Sequence, residues 1–322
     1  MLRNFLLAAT AAGLIYSAAA GAAYPERPIR VLVPFPAGGN VDITARTVAP
    51  GMSAQLGQSV IVDNRGGAHG TIAAEIVQKA ARDGYTLMLT SSGMLAIGPA
   101  LGQKLTYDIV KDFTPVGAVN NVPLLMVVHP SSPGTSVREF IASAKTRPGR
   151  IPMATNGSGS TPELAGALFQ SLTGTKLIAV PYKGSGPAEI DLAGGQIEVY
   201  FDQLSAAIGF VNSGKTRALA VLAKKRVPQL PDVPTIAEAG VPGCEASTFT
   251  GLLAPAGTPR EIIQRLNTAL NNALRTAAVK DNFSRLAAQA LEGTPEDLAR
   301  LIRDETTKWA KVVRDAGIKG EQ

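Results

Sequence analysis

Ile29-Arg-Val-Leu-Val-Pro-Phe-Pro-Ala-Gly-Gly-Asn-Val-Asp42 joins an apolar run to a glycine turn and then to the start of a helix. The apolar residues from Ile29 to Phe35 do not alternate with polar ones, which is typical of a strand buried on both faces of a sheet. The same strand, loop and helix order recurs along the chain. We therefore predict an α/β fold with a parallel sheet covered by helices on both faces.

Other short runs rich in valine, isoleucine and leucine mark the remaining strands. They are predicted at Val60–Asp63, Thr86–Thr90, Leu124–His129, Pro152–Thr155, Ile178–Pro181, Val199–Phe201, Ala218–Leu222 and Gly251–Ala254.

Helix starts are predicted from capping residues, in which a serine or threonine precedes a proline or an acidic residue. These pairs are Ser136 with Glu139, Ser160 with Glu163, Thr258-Pro259 with Glu261, and Thr294 with Pro295. The single tryptophan, Trp309, falls on the apolar stripe of the last helix, so we expect it in the core. The lone Cys244 cannot form a disulfide within the chain, and we expect a buried thiol.

The first residues predict a secretory signal peptide over residues 1–22. Arg3 supplies the positive start, Phe5 to Ile15 form an apolar run, and small residues allow cleavage near Ala20–Ala23. The roughly 300 residues that follow exceed one ordinary core, which favours two lobes. Turn-rich stretches at Asn120–Pro123 and Val241–Ser247 indicate that one lobe is inserted into the other, leaving two crossing segments and a cleft.

Several function classes are disfavoured by the sequence. It has no Gly-x-Ser-x-Gly motif and only two histidines, His69 and His129, so candidate general bases are few. No cysteine and histidine pattern suggests a metal, and no cofactor is predicted. The net charge of +6 is not concentrated in basic runs, which argues against nucleic-acid binding.

One motif matches the nucleotide phosphate loop in letters, from Gly209 to Thr216. A phosphate loop follows a strand and opens a helix. Here a helix over Leu204–Ser213 is predicted to end at Gly214, with a strand after it, so we interpret Gly214 as a helix C-cap.

Two glycine-rich loops are the best candidates for a binding site. One runs from Phe35 to Asp42 and the other from Thr155 to Pro162, and each leaves a strand and opens a helix. Free backbone N–H groups at a helix start attract an anion, so the two loops could grip a carboxylate from both sides. The alternative is that both loops are ordinary turns.

Further motifs follow the first loop in order along the chain. They are Phe35-Pro-Ala-Gly-Gly-x-x-Asp42-x-x-Ala45-Arg46, Asn64-Arg65, Val180-Pro-Tyr-Lys-Gly184-Ser, Gly194-Gly-Gln196, Phe201-Asp202, Gly214-Lys-x-Arg-Ala-Leu-Ala220, Leu230-Pro-Asp-Val-Pro-Thr235-x-Ala-Glu-Ala-Gly240 and Ala254-Pro-Ala-Gly-Thr-Pro259. Together they make the chain similar to the Bug family, the extracytoplasmic receptors of tripartite tricarboxylate transporters.

The resemblance implies a bilobal periplasmic-binding-protein-like fold of type II, with a two-segment hinge and a cleft between two α/β lobes. It implies a first lobe of residues 23–123 plus 248–322 and an inserted second lobe of residues 124–247. It also implies that the protein is periplasmic and non-enzymatic and captures a mono- or dicarboxylate. Its partners would be that ligand and the membrane subunits of the transporter, with the receptor itself a monomer.

The site residues predicted by the loops, by the strand ends and by the resemblance form one set. They are Phe35, Pro36, Ala37, Gly38, Gly39, Asp42, Ser91, Ser92, Asn156, Gly157, Ser158, Ser160, Thr161, Tyr182, Lys183, Gly184 and Asp202. Ser91 and Ser92 are candidates for the distal group of the ligand. Asp202 could instead be a helix N-cap.

Two residues depart from the family pattern. His69 stands where a glycine is usual, and Glu163 replaces a common histidine, so whether either touches ligand stays open. The sequence does not identify the carboxylate. A ligand-sensing receptor for a signalling membrane protein, and a hydrolase acting on exported esters, are the alternative functions.

Overall fold

A computed structural model describes residues 24–67, 70–103 and 105–315. The predicted signal peptide and His69 lie outside these residues. No helix in the described ranges is both long and apolar enough to cross a membrane.

The described residues form the following elements in chain order. The strands are β1 (Ile29–Val33), β2 (Val60–Asn64), β3 (Thr86–Ser91), β4 (Phe113–Val128), β5 (Ile151–Thr155), β6 (Leu177–Pro181), β7 (Val199–Gln203), β8 (Arg217–Val221), β9 (Ser247–Pro255) and β10 (Gln289–Ala290). The helices are α1 (Asn40–Leu56), α2 (Thr71–Gln78), α3 (Gly98–Ala100, after a π-helical turn at Gly93–Ile97), α4 (Val137–Thr146), α5 (Thr161–Thr173), α6 (Ser185–Ala193), α7 (Leu204–Asn212), α8 (Arg260–Arg275), α9 (Ala277–Arg285) and α10 (Pro295–Asp315).

Strand β4 joins the two halves of the sheet, whose order is β2-β1-β3-β9-β4-β7-β5-β6. Its first part pairs with β9, and its last residues pair with β7 and β8. We call β1, β2, β3 and β9, with their helices, the first lobe. The strands β5, β6, β7 and β8, with their helices, form the second lobe. The fold is thus bilobal and α/β, as predicted.

The predicted parallel sheet is found at both ends of the observed sheet but not in its middle. β1 pairs in parallel with β2 and β3, and β5 with β6 and β7, but β4 is antiparallel to β7, β8 and β9. The reason is that β4 and β9 cross between the lobes in opposite directions. The sequence predicted only the end of β4, because Pro115, Gly117 and Pro123 interrupt its apolar pattern. Register shifts between Pro115 and Gly117, and between Ala118 and Asn120, accommodate the irregular part of this strand.

All four predicted helix starts lie within one residue of an observed start, and three of the four predicted caps are confirmed. The hydroxyls of Ser136, Ser160 and Thr294 accept hydrogen bonds from backbone N–H groups in the first turns of α4, α5 and α10. The predicted cap by Thr258 is wrong. Its hydroxyl donates to the Pro255 carbonyl at 2.8 Å, so α8 begins at Arg260 without a side-chain cap.

Trp309 and Cys244 are buried, as predicted. Trp309 is 1% exposed and packs from α10 into a cluster with second-lobe residues such as Met126 and Phe169, so the end of α10 braces both lobes. Cys244 belongs to the same cluster. The predicted end of α7 is also confirmed, because Gly214 follows it with φ +71° and β8 comes after.

Candidate functional site

A cavity lies where the carboxyl ends of β1, β3, β5 and β7 come together between the lobes. About 690 Å³ of space not filled by atoms lies there, a figure that includes space open to solvent. Its walls are formed by Phe35, Pro36, Gly39, Asn40, Val41, Ser91, Gly93, Met94, Gly98, Gln103, Leu105, Tyr107, Asn156, Ser158, Gly159, Ser160, Thr161, Pro162, Gly184, Ser185 and Gln203.

The first loop brings the start of α1 to this cavity. Gly39 is the N-cap in an extended conformation and gives the helix no side-chain cap. The Asp42 carboxylate accepts the Gly38 N–H at 2.9 Å and pairs with Arg46 at 2.9 Å. These two contacts hold the loop against the first turns of α1. The first-turn N–H groups at Asn40 and Val41 have no acceptor inside the helix, and both residues line the cavity.

The second loop brings the start of α5 to the opposite wall. The Ser160 hydroxyl accepts the Glu163 N–H at 3.3 Å, and the Glu163 carboxylate accepts the Gly159 N–H at 2.7 Å. The predicted serine cap is confirmed, but the Glu163 carboxylate accepts the N–H of Gly159, one residue before the N-cap, so the predicted capping box is not complete. Gly157 and Gly159 have φ of +85° and +77°, a conformation that favours glycine, so these two positions allow the tight turn.

Hydrogen bonds cross directly from one lobe to the other around the cavity. The hydroxyls of Ser92 and Thr161 are 3.2 Å apart, and the Gln103 amide donates to the Ser158 hydroxyl at 2.9 Å. The backbones also approach closely, since a Cβ at Gly93 would lie 3.2 Å from the Gly159 carbonyl oxygen. The structure therefore shows the lobes closed over the cavity.

Asn40 presents an unpartnered donor in this closed site. Its Oδ1 accepts from the Ser205 hydroxyl at 2.8 Å, which fixes the side-chain amide. Its Nδ2 is buried and has no partner among the described residues. A buried N–H without an acceptor is costly.

The floor of the cavity is a hydrogen-bonded network on the second lobe. The Ser185 hydroxyl donates to Asp202 Oδ1 at 2.7 Å and lies 3.1 Å from Gln203 Oε1. The Tyr200 hydroxyl donates to Asn156 Oδ1 in a short contact. Burial raises the pKa of Tyr200 well above its usual value, as does the nearby Asp202 carboxylate, so the phenol stays a neutral donor.

No aspartate, glutamate, lysine or arginine lines the cavity within the described ranges. A negative charge placed there would be met by neutral donors and by the positive ends of two helices. Such an arrangement can bind an anion. The His/Cys/Asp/Glu clusters that a metal ion needs are also absent from the described residues.

The structure brings some of the predicted site residues to the cavity wall and not others. Those on the wall are Phe35, Pro36, Gly39, Ser91, Asn156, Ser158, Ser160, Thr161 and Gly184. Those off the wall are Ala37, Gly38, Asp42, Ser92, Gly157, Tyr182, Lys183 and Asp202.

The residues off the wall have other contacts that explain their positions. Gly38 and Asp42 bond to each other, and Ser92 bonds to Thr161. The Tyr182 hydroxyl turns to Asp191 at 2.8 Å, and Lys183 is exposed to solvent. Asp202 is fully buried beneath the floor, in contact with Ser185 rather than with the cavity.

Sequence reasoning missed several wall residues. Asn40, Val41 and Gly159 lie inside the two glycine-rich loops, and Ser185 is the last residue of the motif that begins at Val180. Their position next to predicted site residues could therefore have indicated them. Gln203 follows Asp202 at the end of β7. Gln103, Leu105 and Tyr107 come from an irregular segment with no recognisable motif, and only the fold brings them to the site.

The fold and this site together define a bilobal solute-binding protein. Residues 44–318 match the family described as "Tripartite tricarboxylate transporter family receptor". The chain belongs to this receptor family, which confirms the resemblance to the Bug proteins.

Relatives and solved structures agree with this assignment. Protein BugT of Bordetella pertussis is 42% identical over 297 residues, covering 92% of this chain and 91% of that protein. A structure of R. palustris Rpa4515 with adipate has 40% identity and a TM-score of 0.89, covering 92% of this chain and 99% of that one. MatC from Rhodopseudomonas palustris with bound malate has 36% identity and a TM-score of 0.86, covering 90% and 100%.

Proposed function

We propose that this protein captures a small mono- or dicarboxylate between its lobes and delivers it, chemically unchanged, to the membrane subunits of a tripartite tricarboxylate transporter. The observation that carries the proposal is that the starts of α1 and α5 face one cavity, and that the described residues of its walls bear no charged side chain. Because each helix start is partly positive, the two together favour an anion over a neutral solute.

The donors around the cavity suit a carboxylate in number as well as in sign. The N–H groups of Asn40 and Val41, the Asn40 side-chain amide and the hydroxyls of the second loop can share its two oxygens. Hydrogen bonds to a charged group contribute roughly 1.5 to 3 kcal/mol each. A few of them would offset the cost of removing the anion from water.

Similar proteins support the ligand class. The R. palustris protein with adipate and MatC with malate both resemble this chain over nearly its whole length. Both ligands are dicarboxylates that differ in length and in the hydroxyl of malate. We therefore propose a dicarboxylate of this size range as the first class to test.

Capture would proceed by closure of the lobes about the two crossing strands. We propose the hinge at the predicted boundaries 123/124 in β4 and 247/248 in β9. Export through residues 1–22, with cleavage near Ala20–Ala23, and a monomeric receptor complete the proposal.

A thermal-unfolding screen with organic acids and their neutral amides tests the function. Adipate and malate are compared with adipamide and malamide, which keep nearly the same size and shape but lack the charge and replace an acceptor oxygen with an NH₂ donor. A true ligand at about one hundred times its dissociation constant stabilises the fold by about 2.7 kcal/mol, and the amide should not. The proposal is overturned if no acid raises the melting temperature, if the amide matches its acid, or if the bound acid is recovered chemically altered.

A further inference from the structure

Two carboxyl groups lie together beneath the cavity floor. Glu189 on α6 is 1% exposed, and Asp202 at the end of β7 is fully buried. Neither oxygen of Glu189, nor Oδ2 of Asp202, receives a hydrogen from any other described residue. Glu189 stands one helical turn after Ser185 on α6, and Ser185 bonds to Asp202 at 2.7 Å, so the two carboxyl groups lie on the same side of this helix. Two carboxylates have only acceptors, so they can bond to each other only with a proton between them.

The surroundings of the pair favour keeping that proton. Of the elements packed against α6, β7 contributes Tyr200 as the other titratable neighbour, while α7 and β5 carry only neutral side chains. Burial, and then the neighbouring Asp202, raise the pKa of Glu189; burial also raises the pKa of Asp202, to a smaller extent. Asp202 accepts the Ser185 hydroxyl at 2.7 Å, whereas no described residue donates to Glu189, so this geometry favours the proton on Glu189 and the negative charge on Asp202.

The pair is connected to the cavity wall through Ser185. Because the Ser185 hydroxyl donates to Asp202 at 2.7 Å, its lone pairs are left to accept, and Asn156 Nδ2 lies 3.4 Å away. The other end of the Asn156 amide accepts from Tyr200. Asn156 and Ser185 both line the cavity, so these bonds fix how the Asn156 amide lies at the cavity wall.

We propose that Glu189 and Asp202 share one proton and act as positioning residues of the ligand site, fixing the Ser185 hydroxyl and, through it, the Asn156 amide as a donor to the ligand. The effect on ligand rests on the proposed function. The shared proton does not, because it belongs to the ligand-free protein.

The first arm of the test measures the melting temperature of ligand-free protein as a function of pH. A free glutamate ionises near pH 4.5, whereas the folded Glu189 keeps its proton above that value. Stability from this group is thus complete below about pH 4.5 and is lost as the pH rises toward the folded pKa.

We expect the melting temperature of the wild type to fall between about pH 5 and pH 8 relative to Glu189→Gln, because the glutamine amide donates to Asp202 at every pH. Glu261→Gln, an exposed control on α8, should parallel the wild type. Parallel curves for wild type and Glu189→Gln would overturn the shared proton.

The second arm measures the affinity for adipate and malate by calorimetry. We expect Glu189→Gln to bind within about twofold of the wild type, and Glu189→Leu, which supplies no donor, to bind about tenfold more weakly. Circular dichroism checks that the leucine variant is folded. Wild-type affinity in folded Glu189→Leu would overturn the positioning role. If the wild type itself binds no organic acid, the proposed function fails, and the pH arm alone still decides whether the proton is shared.

Discussion

Ser205 and Asn40 are 165 residues apart in the chain, yet the Ser205 hydroxyl donates to Asn40 Oδ1 at 2.8 Å. Ser205 belongs to α7 of the second lobe and Asn40 opens α1 of the first. The contact therefore joins the lobes and at the same time fixes the Asn40 amide, whose Nδ2 has no partner among the described residues. It links closure of the protein to the preparation of its binding site.

The Asn40→Asp variant tests the donor. It places a carboxylate where we propose that the carboxylate of the ligand lies, and like charges side by side cost several kcal/mol. We expect the affinity for a carboxylate ligand to fall by more than about a hundredfold, measured by calorimetry. Asn212→Asp, an exposed change at the end of α7, serves as the control. Unchanged affinity in Asn40→Asp would exclude Asn40 from the site.

The Ser205→Ala variant tests the link itself. Removing one buried hydrogen bond across the cleft costs about 1 kcal/mol in the closed state, or roughly fivefold in affinity. X-ray scattering should show a larger average radius of gyration for the variant at subsaturating ligand. A compact variant with wild-type affinity would contradict a role for this bond in closure.

The Gly39→Val variant tests the use of the first loop without introducing backbone strain. Gly39 has a negative φ of −83°, and a Cβ there would find only ordinary contacts at 3.8 Å and 4.0 Å. The valine side chain would enter the cavity, so we expect binding to be lost while the melting temperature changes little. Gly209→Val on the exposed face of α7 is the matched control. Binding by Gly39→Val at wild-type strength would show that the ligand lies elsewhere.

Trp309→Ala tests the contribution of α10 to the second-lobe core. Truncating a fully buried tryptophan typically costs about 3 to 5 kcal/mol. Urea unfolding followed by circular dichroism should show this loss, and Lys308→Ala, an exposed neighbour, should not. A loss below about 1 kcal/mol would mean that the end of α10 does not brace this core.

Cys244 provides a test of the core by thiol chemistry. Burial raises the pKa of its thiol to about 12, so the reactive thiolate is scarce at neutral and mildly alkaline pH. We expect a thiol reagent to label the native protein only as fast as it unfolds, and the denatured protein at once. Rapid labelling under native conditions would contradict the buried position.

The sequence was a good guide where a single segment carries the signal. The loop from Phe35 to Asp42 indicated a strand, a turn and a helix, and Ser160 with Glu163 indicated a helix start that the structure contains. The family motifs also indicated a bilobal fold. What could be predicted was the chemistry of each loop taken by itself.

The sequence was a poor guide where two distant segments meet. The antiparallel β4 was predicted only at its end, because proline and glycine near the bulges hide a strand whose stability comes from β9. Likewise, Asn40 is an ordinary first-turn residue until Ser205 bonds to it, and Asp202 was expected in the cleft but lies beneath Ser185. These outcomes depend on contacts between segments that are far apart in the chain, and a local sequence pattern does not contain that information.

Backbone amide chemical shifts report most directly on whether helix starts bind the ligand. An isotope-labelled, deuterated sample is titrated with an acid that raises the melting temperature, and the N–H signals of Asn40, Val41 and Thr161 are followed. Hydrogen bonds to a carboxylate should move these proton signals downfield in a saturable way, with the dissociation constant found by calorimetry. Recognition by the two helix starts is contradicted if the acid binds but the N–H signals of these three residues do not shift, while signals from other parts of the protein do.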